Sequence, residues 1–304
     1  MQQRVLITGG SGLLALNWAQ AMRTRCAITL GLHDREISLA GTHTRNIDLE
    51  SVDKLTRVFE ELECQVVIHA AGLTSVERCE SEPSLAQHVN VTLASNVAKA
   101  CTSLDIQLVH ISTDHLFTGQ DSSVTEDQLL APVNIYGKTK AEAECRVREK
   151  NPQALLIRTN FFGWGTSYRN SFSDIVIEAL RSDKGITLFQ DIFYTPILIE
   201  TAANAVHDLI DLKARGIFNI VGDDRVSKYD FGIAIADKFN LDPSGIIPGL
   251  FANQPTLTQR PFDMSLANKK VRNVLGRPIG GLQEQMAVLY QQELNGLAQE
   301  IRKL

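Results

Sequence analysis

No stretch of this chain approaches the ~18 consecutive apolar residues of a membrane span, so a membrane protein is not expected. The first twenty residues lack the unbroken apolar run of a signal peptide, since glycines and Asn17 interrupt them, and the expected location is cytoplasmic. Nor is there a lysine–arginine cluster able to follow a phosphate backbone; charges of both signs are interspersed around a net −5, which argues against nucleic acid as a partner. Cysteine is sparse and odd in number, at Cys26, Cys64, Cys79, Cys101 and Cys145. With no C-x-x-C spacing and no neighbouring histidine pair, these read as inert thiols and no metal site is expected. Repeats, low-complexity tracts and proline-rich linkers are absent too. What remains is 304 residues, 44% of them hydrophobic, enough to bury a sizeable core.

Up to about residue 160, short β-branched runs alternate with stretches of helical spacing. Expected strands are Arg4–Thr8, Ala27–Leu32, Val66–Ala70, Gln107–Ser112 and Ala154–Arg158; Ser84–Leu104 and Gly137–Glu149 carry helix-like spacing. That order implies right-handed βαβ units and an α/β, doubly wound parallel sheet of Rossmann type. After Arg158 the rhythm breaks. Phe161–Ser173, rich in glycine and aromatics, suits a loop or small lobe, Pro196–Leu212 a helix and Gly216–Gly222 a further strand. We expect residues 1–162 to form a dinucleotide-binding domain to which 193–222 return, and 163–192 with 223–304 to form a smaller, mainly helical substrate-binding cap.

Two motifs carry chemistry. In Gly9-x-x-Gly12-x-x-Ala15 after the first strand, the glycines permit a tight turn and close approach of backbone to a pyrophosphate, held by the N–H groups of the following helix start. Gly9, Ser11, Gly12 and Leu13 are therefore expected to bind a dinucleotide, together with the small residues Ala70, Ala71 and Gly72 after a second strand. Asp48, beside Leu49, is expected either to hold the adenine edge or to cap the helix that follows. At the end of the second strand an acid at Gly31 would argue for NAD(H), and none is there; His33 and Arg35 could meet a 2′-phosphate, or Asp34 and Arg35 could form a solvated turn. NADP(H) is preferred over NAD(H).

The second motif is Tyr136-x-x-x-Lys140. Four residues along a helix place both side chains on one face, so a lysine ammonium can stabilise a phenolate. Ser112 and Thr113, at the end of an expected strand, supply a hydroxyl for the reacting oxygen.

Thr8-Gly9-Gly10-Ser11-Gly12, His69-Ala70-Ala71-Gly72, Ser112-Thr113-Asp114-His115, Tyr136-Gly137-Lys138-Thr139-Lys140 and Arg260-Pro261-x-Asp263 together resemble the extended short-chain dehydrogenases/reductases. More narrowly the chain is similar to the dTDP-4-dehydrorhamnose reductase family, above all in Ala71–Glu77, Glu80–Pro83 and Asn90. The resemblance implies Thr113, Tyr136 and Lys140 as the catalytic group, Tyr136 and Lys140 also touching cofactor. It implies Thr74 and Val76 near the substrate and Arg260 facing a nucleoside diphosphate. His115 stands where the family usually has tyrosine and Phe161 where it has tryptophan, so these positions, with Asp114 and Asn160, bear on which sugar is bound. Asp114 orients the substrate or caps a turn, and His115 is a sugar contact or a loop residue without a chemical role.

The expected activity is reduction of a nucleoside-diphosphate 4-keto-6-deoxyhexose. A sugar-nucleotide epimerase and a non-catalytic regulatory subunit of the methionine adenosyltransferase β type remain alternatives. A homodimer is left open.

Overall fold

Seven parallel strands form the central sheet of the computed structural model, which describes residues 2–254 and 256–304. The strands β1 (Gln3–Thr8), β2 (Cys26–Leu32), β3 (His43–Asn46), β4 (Val66–His69), β5 (Gln107–Thr113) and β6 (Leu155–Thr159) are joined by a last strand, Gly216–Asn219, paired with β6. Their spatial order is last strand–β6–β5–β4–β1–β2–β3. Chain direction across the sheet reverses between β1 and β4, the crevice where doubly wound sheets take their ligands.

Helices α1 (Leu13–Met22), α2 (Val52–Glu61), α3 (Val76–Ser81), α4 (Pro83–Gln87), α5 (Leu93–Ser103) and α6 (Ile135–Lys150) follow in chain order. Side-chain alternation along the strands divides the core between two faces. Val66 and Ile68 of β4 join α1 and the C-terminal helices, whereas Val67 joins α2, α5 and α6. The first of these clusters also takes in Val176, Ile177, Phe231 and Met286, so the C-terminal helical part packs on the sheet as one core. Among the described residues no helix is long and apolar enough to cross a membrane.

In the central sheet the expected strands match observed ones to within a residue or two, except that Gly216–Gly222 ends at Asn219, and one strand of that sheet is unexpected. β3 reads His-Thr-Arg-Asn and all four residues are exposed, so it carries no apolar signature; pairing with β2 alone makes it a strand. The expected helix over Ser84–Leu104 is interrupted, because His88–Thr92 winds one π-helical turn between α4 and α5. The helix expected from Pro196 starts at Ile199, since Ile197–Leu198 pairs with Phe161–Phe162. Asp48 is not the N-cap of α2. Ser51 is, its hydroxyl accepting from the Lys54 N–H at 3.3 Å.

Helix α6, which bears Tyr136 and Lys140, is fixed to the sheet by a buried ion pair. Arg158 on β6 donates to both carboxylate oxygens of Glu144, Nε at 3.0 Å and Nη2 at 2.8 Å, and each side chain is 2% exposed. Removing one partner leaves the other charge buried and unanswered. Arg158→Met should therefore destabilise the chain by about 3–5 kcal/mol, read as a lower denaturant midpoint at unchanged m; a change within ~1 kcal/mol would show the pair to be dispensable.

Candidate active site

The turn from β1 into α1 begins the site. Gly9 adopts φ +69°, and a Cβ there would lie 2.9 Å from the Ala71 backbone, so only glycine lets this turn rest on the segment after β4. Thr8 Oγ1 lies 2.8 Å from His69 Nδ1 and accepts from the Ala71 N–H at 3.3 Å, tying the ends of β1 and β4 together. Helix α1 has Gly12 as its N-cap, with no side-chain cap and no acid in its first turn. By contrast α2, α6 and the helices Phe172–Arg181 and Lys228–Phe239 are capped by Ser51, Asn134, Ser171 and Ser227. The first N–H groups of α1 are therefore free for an anion.

From this turn a cleft of about 780 Å³ runs along the C-terminal edge of the sheet. Of the residues expected to bind cofactor, Gly9, Ser11, Gly12, Leu13, Asp48 and Leu49 line its one end and Ala70, Ala71 and Gly72 its middle; Thr113, Tyr136 and Lys140 follow. Thr74, Val76, Asp114, His115, Asn160 and Phe161 line the other end. Two expected residues lie outside this lining. Arg35 lies with its guanidinium 3.8 Å from the centre of the Tyr168 ring, and Arg260 is ion-paired to Glu77.

Sequence reasoning missed the segment 168–172. Tyr168 donates its hydroxyl to the Ser11 carbonyl at 2.7 Å, and Arg169 donates to Thr74 Oγ1 at 2.9 Å, so this segment arches over the cleft from both sides. Its loop-like composition carried no signal of that contact. Asn90, in the π-helical turn, accepts from the Leu73 N–H at 2.7 Å and donates to Thr139 Oγ1 at 3.0 Å, joining the loop after β4 to α6.

The residues expected to be catalytic come together where α6 meets the end of β5. Gly137 makes this possible, since a Cβ would run into the His115 carbonyl oxygen. Tyr136 is hydrogen-bonded to Thr113, its ring meeting that of His115 edge-on at 5.4 Å. Asp114 accepts from Thr113 Oγ1 at 3.2 Å and from Asn160 Nδ2 at 2.5 Å, so it braces neighbours rather than capping a turn. Burial pushes the Tyr136 phenol up to about 12, against the pull of the Thr113 hydrogen bond. Lys140 is brought down to about 8, because its ammonium is taken out of water. That ammonium donates to the Ile111 carbonyl at 2.7 Å, and the expected direct action on the phenol is absent from this arrangement. Side-chain polar atoms of Ser112, His115 and Thr159 are buried on the cleft wall without a partner among the described residues, leaving hydrogen-bonding capacity for a bound molecule.

Parallel sheet, uncapped helix start and Thr–Tyr–Lys group define an oxidoreductase of the extended short-chain dehydrogenase/reductase class. The model of the RmlD substrate binding domain matches residues 3–294, and the chain belongs to that family. It is 28% identical over 287 residues to the probable low-salt glycan biosynthesis reductase Agl14 of Haloferax volcanii, covering 93% of this chain and 96% of that one. It is equally 28% identical to the methionine adenosyltransferase 2 subunit beta of Mus musculus, over 90% of this chain and 82% of that protein. Among solved structures, a dTDP-4-dehydrorhamnose reductase from Clostridium acetobutylicum superimposes with a TM-score of 0.83 at 26% identity, covering 96% of this chain and all of the other, 100%.

Beneath the cleft, His69 is buried and held down to about 3 by the loss of water, with the Lys140 charge adding to the effect. Its folded value lies below the unfolded ~6.5, so between those values the unfolded chain binds the extra proton. Stability should be complete above about pH 6.5 and fall progressively as pH drops toward 3. Denaturant midpoints of the wild type and His69→Asn across this range check it: the variant should show a shallower fall, and parallel curves would refute the assignment.

Proposed function

We propose that this chain is an NADP(H)-dependent reductase of a nucleoside-diphosphate 4-keto-6-deoxyhexose. The observation that carries the reading is the Thr113–Tyr136 pair, with Lys140 beside it, facing one continuous cleft whose other end is an uncapped helix start. In this reading residues 1–162 and 193–222 hold the cofactor, while 163–192 and 223–304 hold the sugar nucleotide.

The residues present suit a dinucleotide: the Gly9 turn leaves no room for a side chain, and the free N–H groups of α1 face the cleft end. Gly9, Ser11, Gly12 and Leu13 would hold the pyrophosphate, and Asp48 the adenine edge. Asp48 keeps its charge through its hydrogen bond to Lys54, at 2.9 Å, and through the Glu50 N–H. A Cβ on Gly31 would lie 2.7 Å from Ile47 Cδ1, so that position carries no carboxylate to take a ribose 2′-OH, and Arg35, now over the Tyr168 ring, would turn to a 2′-phosphate. When bound, the reduced nicotinamide supplies the hydride.

Thr113 donates to the C4 carbonyl oxygen and polarises it. Tyr136, protonated at neutral pH because it is buried, delivers the proton to that oxygen. The Lys140 ammonium donates one hydrogen to the Ile111 carbonyl and has two left for the nicotinamide ribose, while its charge favours the phenolate through space rather than by a direct hydrogen bond. His115 and Phe161 border the sugar and set which hexose fits.

A second reading has its own support: the likeness to methionine adenosyltransferase 2 subunit beta extends over 90% of this chain. A cofactor-binding regulatory subunit would bind NADPH and turn over no sugar nucleotide. Mixing the protein with NADPH, then NADH, and a panel of nucleoside-diphosphate 4-keto-6-deoxyhexoses separates the two. Substrate-dependent loss of reduced nicotinamide establishes the reductase, and binding without oxidation across the panel favours the subunit. Tyr136→Phe should lower the single-turnover rate by roughly 10²–10⁴ with cofactor affinity nearly unchanged; undiminished turnover would discard the mechanism. Reduction should also slow as pH rises through about 8, where Lys140 loses its proton, and a flat profile to pH 9.5 would remove Lys140 from the proton step.

A further inference from the structure

Lys228, the first residue of the helix Lys228–Phe239, places its Nζ 3.3 Å from the centre of the Tyr194 ring and 4.8 Å from that of Phe172. Phe172 lines the cleft. Of the groups whose charge acts on Lys228 or its surroundings, Asp114 and His115 also border Tyr136. Asp114 raises both Lys228 and Tyr136, Arg260 opposes the charge on Lys228, and His115, which Lys228 and Arg260 both depress, lies edge-on to the Tyr136 ring. Through Phe172 the ammonium adjoins the cleft wall.

Its neighbours already have partners. Arg260 is paired with Glu77, and Asp114 accepts from Thr113 and Asn160. Lys228 is half-buried, with no carboxylate within 4 Å and no hydrogen-bond acceptor for its Nζ among the described residues. Next to it the Tyr194 hydroxyl is buried and has no partner either. An unanswered ammonium beside an unanswered hydroxyl suits an anion brought by a ligand.

We propose that Lys228, with the Tyr194 hydroxyl, is a positioning residue that binds the diphosphate of the sugar-nucleotide substrate opposite Arg260. The inference rests on the reductase reading above. In that substrate the hexose is uncharged and the diphosphate is the anionic part, so one ion pair at Lys228 fixes the sugar's far end while Tyr136 meets C4. The cofactor's own pyrophosphate belongs to the α1 end of the cleft. Because burial brings Lys228 down to about 7, a diphosphate arriving at pH 8 should draw a proton onto it. The groups facing it are Asp114, His115, Tyr194 and Arg260, and of these His115 could also take up a proton.

Isothermal titration of the NADP-saturated protein with dTDP and with UDP, at pH 8 in buffers of different ionisation enthalpy, tests this. We expect Lys228→Met to bind the nucleoside diphosphate about tenfold or more weakly. Lys228→Arg should bind near wild-type strength without the proton uptake seen in wild type, because a guanidinium is already charged; uptake persisting in that variant assigns the proton to His115 and overturns the Lys228 step. NADP affinity equal in all three proteins shows that folding and the cofactor end are intact. Equal diphosphate affinity in wild type and Lys228→Met overturns the proposal and leaves the reductase reading standing. Failure of the wild type to bind either diphosphate overturns that reading, and the role of Lys228 with it.

Discussion

The backbone of Gly9 lies so near Ala71 that a methyl group would not fit, and the arrangement of the site depends on this contact. At a positive φ, Gly9 turns the chain from β1 into α1 directly above the end of β4, where the sheet changes direction. The same spot is knitted by Thr8, whose hydroxyl meets His69 and the Ala71 N–H. With those ends fixed, the start of α1 and the end of β5 face the same crevice, and everything the cleft holds is measured from them.

Polar groups are shared unevenly between fold and site. Helices such as α2 and α6 have a first-turn N–H satisfied by a serine or asparagine cap, whereas α1 has no such cap. The Arg158–Glu144 pair, each side chain answered in full, anchors α6. One helical turn along from Tyr136, the buried ammonium of Lys140 has a single carbonyl partner. The Arg158–Glu144 pair holds the frame, while the first N–H groups of α1 and the side chains of Ser112, His115 and Thr159 are left for the cleft, where binding energy is to come from a ligand.

The legible part of the fold was the part governed by burial on both faces. Val66-Val67-Ile68 reads as an internal strand in any context, because every residue in it is apolar and each face of the sheet is covered. β3 was invisible for the converse reason: its four residues face water, and its conformation is borrowed from β2. Long-range pairing also decided the small strands Phe161–Phe162 and Ile197–Leu198, which a local pattern of two residues cannot announce. In the site, glycine-rich turn and Tyr-x-x-x-Lys were legible since both depend on local geometry. The partners of charged side chains were not. Arg35 finds the Tyr168 ring, Arg260 finds Glu77, and Asp48 yields the cap of α2 to Ser51.

The sequence by itself determined the alternation of strand and helix, the dinucleotide turn and the one-turn spacing of Tyr136 and Lys140, since each follows from apolar periodicity or from backbone freedom at a named residue. Only the tertiary structure decided that segment 168–172 arches over the cleft, that Lys140 is held by Ile111 rather than aimed at the phenol, and that Lys228 stands unpaired against Tyr194. These depend on which distant side chains lose water together, and no spacing along the chain encodes that.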